Sequence, residues 1–227
     1  DKNSRLISIE EVAENEYVLN PSRYLQRETV VKNGVFFETV IKNITRGAQI
    51  KASVLDEIVS DEPTNMQYLM LANLQDGIIS DELPYLKGID SKYEKYCIKN
   101  GSLVISKNAS PVKMAIVSVQ EGNKILANGN LYVIELDKDK INPYFLKAYL
   151  ESESGKAALS RVAVGATLLN LPVEGLKKVI IPLPDLESQK KIADQYYAKL
   201  SEIKEQTGKG DRRTGTYLYG GKINGRE

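Results

Sequence analysis

A short loop between two apolar runs carries the side chains best suited to binding a ligand. Four side chains that donate hydrogen bonds occur within seven residues, with no carboxylate among them: Lys107, Asn108, Ser110 and Lys113. Residues 103–105 and 114–117 are apolar, so the sequence predicts two strands with the loop between them. Ammonium, amide and hydroxyl groups are the ones that contact phosphate oxygens and base edges in nucleic acids. The alternative interpretation is a solvated loop.

Groups that could perform catalysis are scarce. The 227 residues include no His and a single Cys, Cys97, which excludes Ser-His-Asp and Cys-His catalysis and any His-containing zinc site within this chain. Adenine methyltransferases hold a flipped base with the motif Asn or Asp, Pro, Pro, aromatic. Residues 20–23 (NPSR) and 142–145 (NPYF) each lack part of that motif, and both are interpreted as turns; the second starts a helix with Pro at its first position. No catalytic residue, metal site or cofactor is predicted.

Composition indicates a globular protein. Apolar residues make up 42% and charged residues 27%, and the formal net charge is +1, so bulk charge gives no argument for nucleic acid. No apolar run approaches the ~20 residues that span a bilayer, and no membrane partner is predicted. One Cys fits a reducing compartment, which predicts a cytoplasmic location. The chain begins at Asp1 rather than Met, and we interpret it as part of a longer polypeptide.

The longest predicted element is a helix over residues 185–206. Residues 179–184 (VIIPLP) predict a buried strand that the prolines end, because proline cannot donate to a sheet. Asp185 is a good N-cap, and no Gly or Pro follows until Gly208. One narrow stripe recurs at spacings of three and four: Leu186, Gln189, Ala193, Tyr196, Leu200 and Ile203. Such a stripe predicts packing along another helix; the alternative is a helix packed on its own domain.

Residues 181–192 (IPLPDLESQKKI) resemble the junction between a target recognition domain and its spacer helix in type I restriction-modification specificity subunits. Residues 101–117 resemble the hairpin pattern of the same family, with Ser102 where an acidic residue is usual. Residues 165–167 (GAT) resemble the Gly-small-Thr loop that this family has before the element leading into the IPLP strand. In that family the strand closes a DNA-reading domain, and the helix pairs antiparallel with an equivalent helix to set the distance between two such domains.

The resemblance, which covers about residues 36–206, implies an α+β fold: a β-rich recognition domain followed by a long spacer helix. The expected divisions are a lead-in segment (1–33), the recognition domain (34–184), the spacer and dimerisation helix (185–206) and a polar tail (207–227). The implied DNA-binding residues are Arg46, Gln49, Lys51, Lys107, Asn108, Ser110, Lys113, Thr167 and Asn170. The implied helix interface is the stripe on residues 185–206.

The resemblance also implies partners. They are double-stranded DNA, a methyltransferase subunit or domain, a restriction subunit, and a second copy of this chain bound through the spacer helix as a coiled coil. The chain is then either a half-length subunit or the specificity end of a fused methyltransferase. Residues 15–24 resemble the end of a methyltransferase subunit, which favours the second, but they equally resemble the lead-in at the start of some specificity domains. Two alternatives stay open: a methyltransferase with its own activity, and a self-assembly module that does not bind DNA.

Overall fold

A computed structural model describes residues 34–80, 82–165 and 170–211, together with Ser4, residues 6–14, Tyr17, Leu19, Tyr24 and Val31. Most of the predicted lead-in segment, Thr167 and residues 212–227 lie outside the described residues. The helices are α1 (Ile9–Glu14), α2 (Ala52–Ile58), α3 (Pro143–Glu151), α4 (Glu153–Val162), α5 (Val173–Lys177) and α6 (Leu186–Asp211). The strands are β1 (Gly34–Phe36), β2 (Ile41–Arg46), β3 (Val59–Ser60), β4 (Met66–Leu69), β5 (Leu74–Gln75), β6 (Ile78–Ile79), β7 (Tyr85–Leu86), β8 (Leu103–Ser106), β9 (Met114–Ile116), β10 (Lys124–Ala127), β11 (Leu131–Leu136) and β12 (Ile180–Pro182).

The central sheet is antiparallel, with the strand order β2-β11-β8-β9. The predicted β8–β9 hairpin is confirmed, with Val104 paired to Ala115. Side chains of β8 alternate between two cores: Leu103 and Ile105 pack with the helices, whereas Val104 packs toward the second sheet. Because both faces of β8 are covered, residues 103–105 are apolar without a break rather than alternating with polar residues. The expected α+β class is confirmed.

The second sheet has the order β10-β4-β7-β3, and β10 runs parallel to β4. Two apolar runs, 124–127 and 131–136, flank the turn residues 128–130, a pattern that predicts a strand pair. That prediction is wrong. The turn between them moves the chain from one sheet to the other: the Asn128 N–H donates to the Leu69 carbonyl of β4 (2.9 Å), and β11 pairs with β2 and β8 instead. An Asn-Gly pair favours a tight turn but does not fix which strands pair.

Two shorter features were correctly assigned from sequence. Asp76-Gly77 is a residue pair that predicts a tight turn. It joins β5 to β6, and both residues have positive φ (47° and 77°), as a tight hairpin turn requires. Asn142 caps α3 by accepting from the Tyr144 and Phe145 N–H groups, with Pro143 at the first helical position.

Apolar residues on one side of residues 143–155 predict a single amphipathic helix, which Gly155 ends or breaks. The structure has two helices instead. The break lies at Ser152, whose hydroxyl accepts from the Gly155 N–H and caps α4. Gly155 lies inside α4 rather than ending a helix. The chain passes close to the preceding helix there, because a Cβ on Gly155 would lie 2.0 Å from the Tyr149 carbonyl oxygen. A serine cap and a close backbone approach therefore account for the bend.

Helix α6 starts as predicted and packs lengthwise on α3. The Asp185 carboxylate caps it through the Ser188 N–H (2.9 Å) and hydroxyl (2.8 Å). The helix continues to Asp211, five residues past the expected end. It includes Gly208 and Gly210, since a glycine weakens a helix without necessarily ending it. In the parts of the chain that the structure describes, no helix is both long and apolar enough to cross a membrane.

The predicted intermolecular role of the α6 stripe was wrong for three of its residues. Gln189, Ala193 and Leu200 are buried within this chain, and Tyr196 bonds to side chains of α3. Ile203 is partly buried, whereas Leu186 is 50% exposed. A stripe of this period shows that one face of a helix is buried, but the helix it meets belongs here to the same domain.

Candidate nucleic-acid interface

Four separate segments meet at one end of the central sheet. The Lys107 N–H donates to the Asn130 carbonyl (2.9 Å), which joins the β8–β9 loop to the β10–β11 turn. The Lys107 carbonyl accepts from the Leu171 N–H (2.9 Å), which adds the segment after α4. The end of β2 joins through the Ala48 N–H, which donates to the Ala127 carbonyl (2.7 Å). Residues more than 120 positions apart therefore form one surface, which we call the loop end.

Arg46 holds the β2 end to the β10–β11 turn. Its Nε donates to the Gly129 carbonyl (2.7 Å). The Gln49 amide, with its oxygen toward Arg46, accepts from Nη2 (2.5 Å) and Nη1 (3.1 Å). Arg46 is also the cross-strand partner of Tyr132, whose phenol pKa is raised by burial and pulled back by that guanidinium. The cation is therefore held in place before any ligand arrives, which lowers the entropy cost of binding.

Two glycines allow these segments to approach so closely. A Cβ on Gly47 would lie 2.2 Å from the Asn128 carbonyl oxygen, and one on Gly129 would lie 2.7 Å from Cγ of Gln49. Behind the turn, the Asn128 amide donates to the Tyr68 hydroxyl (2.5 Å), and the Asn128 side-chain oxygen accepts from the Asn130 N–H (2.9 Å). Asn128 is thus used to shape the turn, which leaves Asn130 exposed at its tip.

The β8–β9 loop is closed at its base by Ser106. The Ser106 hydroxyl accepts from the Lys113 N–H (2.9 Å), and its own N–H donates to the Lys113 carbonyl (2.8 Å). Asn108 forms a β-bridge with Asn170, while Ser110 is exposed beside a cis bond to Pro111. The loop therefore lies against the segment that contains Asn170.

The structure brings together most of the residues predicted to bind DNA. Arg46 and Gln49 lie against the turn, Lys107, Asn108, Ser110 and Lys113 lie in the neighbouring loop, and Lys51 is exposed at the start of α2. Asn170 is exposed, and it forms two backbone bonds of 2.8 Å with Val164. Thr167 lies outside the described residues.

Sequence reasoning missed the β10–β11 turn as part of this surface. From sequence, Asn128, Gly129 and Asn130 predict a simple hairpin turn, and residues 67–72, which include Tyr68, predict a strand. The signal in the sequence was the pair of amides around Gly129. Only the sheet order shows that this turn lies between β2 and the β8–β9 loop.

The loop end is positively charged although the chain is nearly neutral. Residues 45–51, 106–113, 127–132 and 163–172 contain four cations, Arg46, Lys51, Lys107 and Lys113, and no Asp or Glu. Their charge is +4, and because the whole chain carries +1, the rest carries −3. None of the four forms a salt bridge with a described carboxylate.

The opposite end of the sheet is different. There Asp137 pairs with both Lys42 (3.2 Å) and Lys140 (3.2 Å), and Glu135 pairs with Lys99 (2.8 Å). Among the described residues, no three potential metal ligands lie close enough together to hold an ion. The loop end is thus a surface of cations, of which Arg46 is held by its neighbours, and of exposed amides, and it can contact an anionic polymer.

Comparison with known proteins identifies the family. A family model for the type I restriction modification DNA specificity domain matches residues 56–207. The type I restriction enzyme MjaVIII specificity subunit of Methanocaldococcus jannaschii is 28% identical over 144 residues, which are 59% of this chain and 33% of that subunit.

Solved structures share the fold. A chain from a study of assembly and conformational transition of the type I R-M system matches with a TM-score of 0.54 at 19% identity, covering 89% of this chain and 45% of that one. The type I S subunit from M. genitalium gives 0.53 at 12% identity (81% and 43%), and the HsdS subunit from Thermoanaerobacter tengcongensis gives 0.50 at 17% identity (87% and 46%). The chain spans less than half the length of each of these relatives. It belongs to the type I restriction-modification DNA specificity domain family.

Proposed function

We propose that this chain recognises double-stranded DNA sequence-specifically, as one half of the specificity module of a type I-like restriction-modification system. The observation that carries the proposal is the loop end, where four segments meet: two of them carry four cations without a carboxylate, and exposed amides lie beside these cations. DNA recognition divides into phosphate contacts that position the protein and base-edge contacts that specify sequence. The loop end has side chains for both tasks.

The two tasks fall to different residues. Arg46, Lys107 and Lys113 are suited to phosphate oxygens, as is Lys51 at the start of α2. Asn108, Asn130 and Asn170 carry amides that can pair with base edges, and an amide pairs in a bidentate manner with adenine. Asn130 joins this set because its side chain is exposed at the turn that Arg46 fixes.

The module needs a second recognition domain and a catalytic partner. One domain with one helix corresponds to about half of the solved subunits by length. A second copy of this chain would pair through α6 using two apolar residues still exposed on it, Leu186 (50%) and Ile192 (44%), whereas the Tyr197 ring already packs against Tyr144 of the same chain. A methyltransferase subunit would supply adenine methylation and a restriction subunit cleavage, so this chain itself would be non-catalytic. The assembly would act in the cytoplasm.

Selection from a random duplex library tests the proposal. We expect bound duplexes to share a motif, and Asn108→Ala to lower discrimination at one base pair by about 1–3 kcal/mol, the value of one bidentate contact. Asn65→Ala is the control, because Asn65 precedes β4 at the opposite end of the second sheet. Absence of both enrichment and low-salt binding would favour a self-assembly module. Binding of the methyl donor by the chain alone would favour a methyltransferase.

A further inference from the structure

A buried ionic cluster joins α6 to α3. The Lys147 side chain has no solvent exposure, and its ammonium contacts Glu151 Oε1 (2.8 Å) and the Tyr196 hydroxyl (2.5 Å). The same hydroxyl donates to Glu151 Oε2. Lys147 and Glu151 belong to α3 and Tyr196 to α6, so each member bonds to the other two. We call these three residues the helix lock.

The protonation states of the helix lock suit this network. Burial lowers the pKa of Lys147, and the Glu151 carboxylate opposes that shift. Burial and the bond to Glu151 raise the pKa of Tyr196, which keeps its phenol protonated as a donor. A buried ion pair is poor evidence for stability, but buried polar groups can specify register between helices where apolar packing does not.

A third element covers the helix lock. A Cβ on Gly77, in the β5–β6 turn, would lie 2.7 Å from the Lys147 Nζ and 2.9 Å from Glu151 Oε1. Gly77 also has φ of +77°. The turn therefore lies directly against the cluster. Helices α3 and α6 and the β5–β6 hairpin all approach the buried Lys147 ammonium.

A second buried polar side chain fixes α6 two turns earlier. Gln189 is fully buried, and its Oε1 accepts from the Asn142 N–H (2.8 Å) while its Nε2 donates to the Lys140 (3.0 Å) and Pro184 (2.8 Å) carbonyls. Gln189 and Tyr196 lie on one helix face, seven residues apart. Gln189 bonds the first turn of α6 to the segment that starts α3, and Tyr196 bonds α6 to α3 two turns further along.

We propose that Lys147, Glu151 and Tyr196, with Gly77 against them, are positioning residues that hold α6 at one angle to the recognition body. The consequence for DNA rests on the proposed function: the helix sets the separation of two recognition bodies, so its angle sets the spacing of the half-sites. From Gln189 to Gln206 is roughly 25 Å at 1.5 Å per residue, and a tilt of about 10° moves the far end by about 4 Å. That is about one base pair at 3.4 Å.

Distance measurements test the helix lock. Spin labels at Lys95→Cys on the body and Glu202→Cys on α6, in a Cys97→Ser background, report the angle; both label positions are exposed. We expect Tyr196→Phe and Gly77→Ala each to shift the mean distance by about 4 Å or to broaden the distribution by as much. In the assembled module, the preferred half-site spacing should shift or spread by about one base pair.

Two matched controls separate positioning from stability. Tyr197→Phe alters the neighbouring tyrosine, which is 53% exposed. Gly122→Ala imposes the same strain as Gly77→Ala, since Gly122 has φ of +82°, but its Cβ would meet nothing within 4 Å. Both controls should leave the distance unchanged. A lowered Tm with an unchanged distance in folded Tyr196→Phe overturns the proposal, whether or not Gly77→Ala folds.

The helix lock and the proposed function can fail separately. If the unaltered chain binds no duplex, DNA recognition is refuted while the label distances still decide whether the helix lock holds α6. If the chain selects a motif but Tyr196→Phe changes neither distance nor spacing, DNA recognition stands and the helix lock is refuted.

Discussion

Replacing Lys107 and Lys113 by glutamine should make DNA binding less sensitive to salt. Both lysines lie in the loop that backs onto the β10–β11 turn, and neither pairs with a described carboxylate. Each phosphate that a cation neutralises contributes about −0.9 to the slope of log affinity against log salt. With Arg46 and Lys51, the loop end supplies four such cations, whereas the double variant keeps two.

The expected magnitude follows from that count. Between about 50 and 200 mM salt, four phosphate contacts predict a loss of affinity of about 150-fold, and two predict about 12-fold. Fluorescence anisotropy with a random-sequence duplex across this range gives both slopes. Random sequence is sufficient because phosphate contacts carry no sequence information.

Lys138→Gln with Lys140→Gln is the matched control. These lysines follow the far end of β11, about 17 Å along the strand from the loop end at 3.4 Å per residue. The control removes the same charge and should keep the steep slope. Equal slopes in the two double variants, with both proteins folded, would show that DNA does not lie on the loop end.

Three further predictions concern the supports of the site and of α6. Gly47→Ala should cost at least about 2 kcal/mol of unfolding free energy, because its Cβ would overlap the backbone of the β10–β11 turn; Gly88→Ala, which meets nothing within 4 Å, should stay within about 1 kcal/mol in urea unfolding. Gln189→Leu should cost about 3 kcal/mol by leaving three partly buried backbone groups without their side-chain partner. Exposed Gln195→Leu should cost at most about 0.5 kcal/mol. The Ser188 N–H and hydroxyl lower the pKa of the Asp185 carboxyl. This cap therefore stabilises the fold above about pH 4, and its contribution is lost as the pH falls through the folded-state pKa. Asp185→Asn should flatten the dependence of Tm on pH in that range, and an unchanged profile would contradict the cap.

Local chemistry made several elements predictable. The β8–β9 hairpin, the Asn142 cap with Pro143, and the Asp185 start of α6 each depend on residues close in the chain. The break at Ser152 was missed although its cap is also local. A serine within an amphipathic helical pattern does not show whether it caps a new helix or faces solvent. Here the close approach of Gly155 to the preceding turn decides that the helix breaks.

The candidate site was partly predictable for a related reason. Residue type identified Arg46 and the Lys107–Lys113 loop as donors, and the structure places them on one surface. Residue type could not show that Asn130 belongs with them, because its turn had been assigned to a hairpin. Pairing of β10 with β4 and of β11 with β2 is a long-range choice, and it carries the turn to the end of β2.

The sequence by itself determined which faces are buried, where helices start, and that no His-dependent chemistry can occur in this chain. Only the tertiary structure decided what covers each face: the stripe on α6 meets α3 of the same domain, and Gln189 and Tyr196 supply its polar contacts there. The physical reason is that apolar periodicity records the loss of water from a surface, and this loss is the same whichever partner displaces the water.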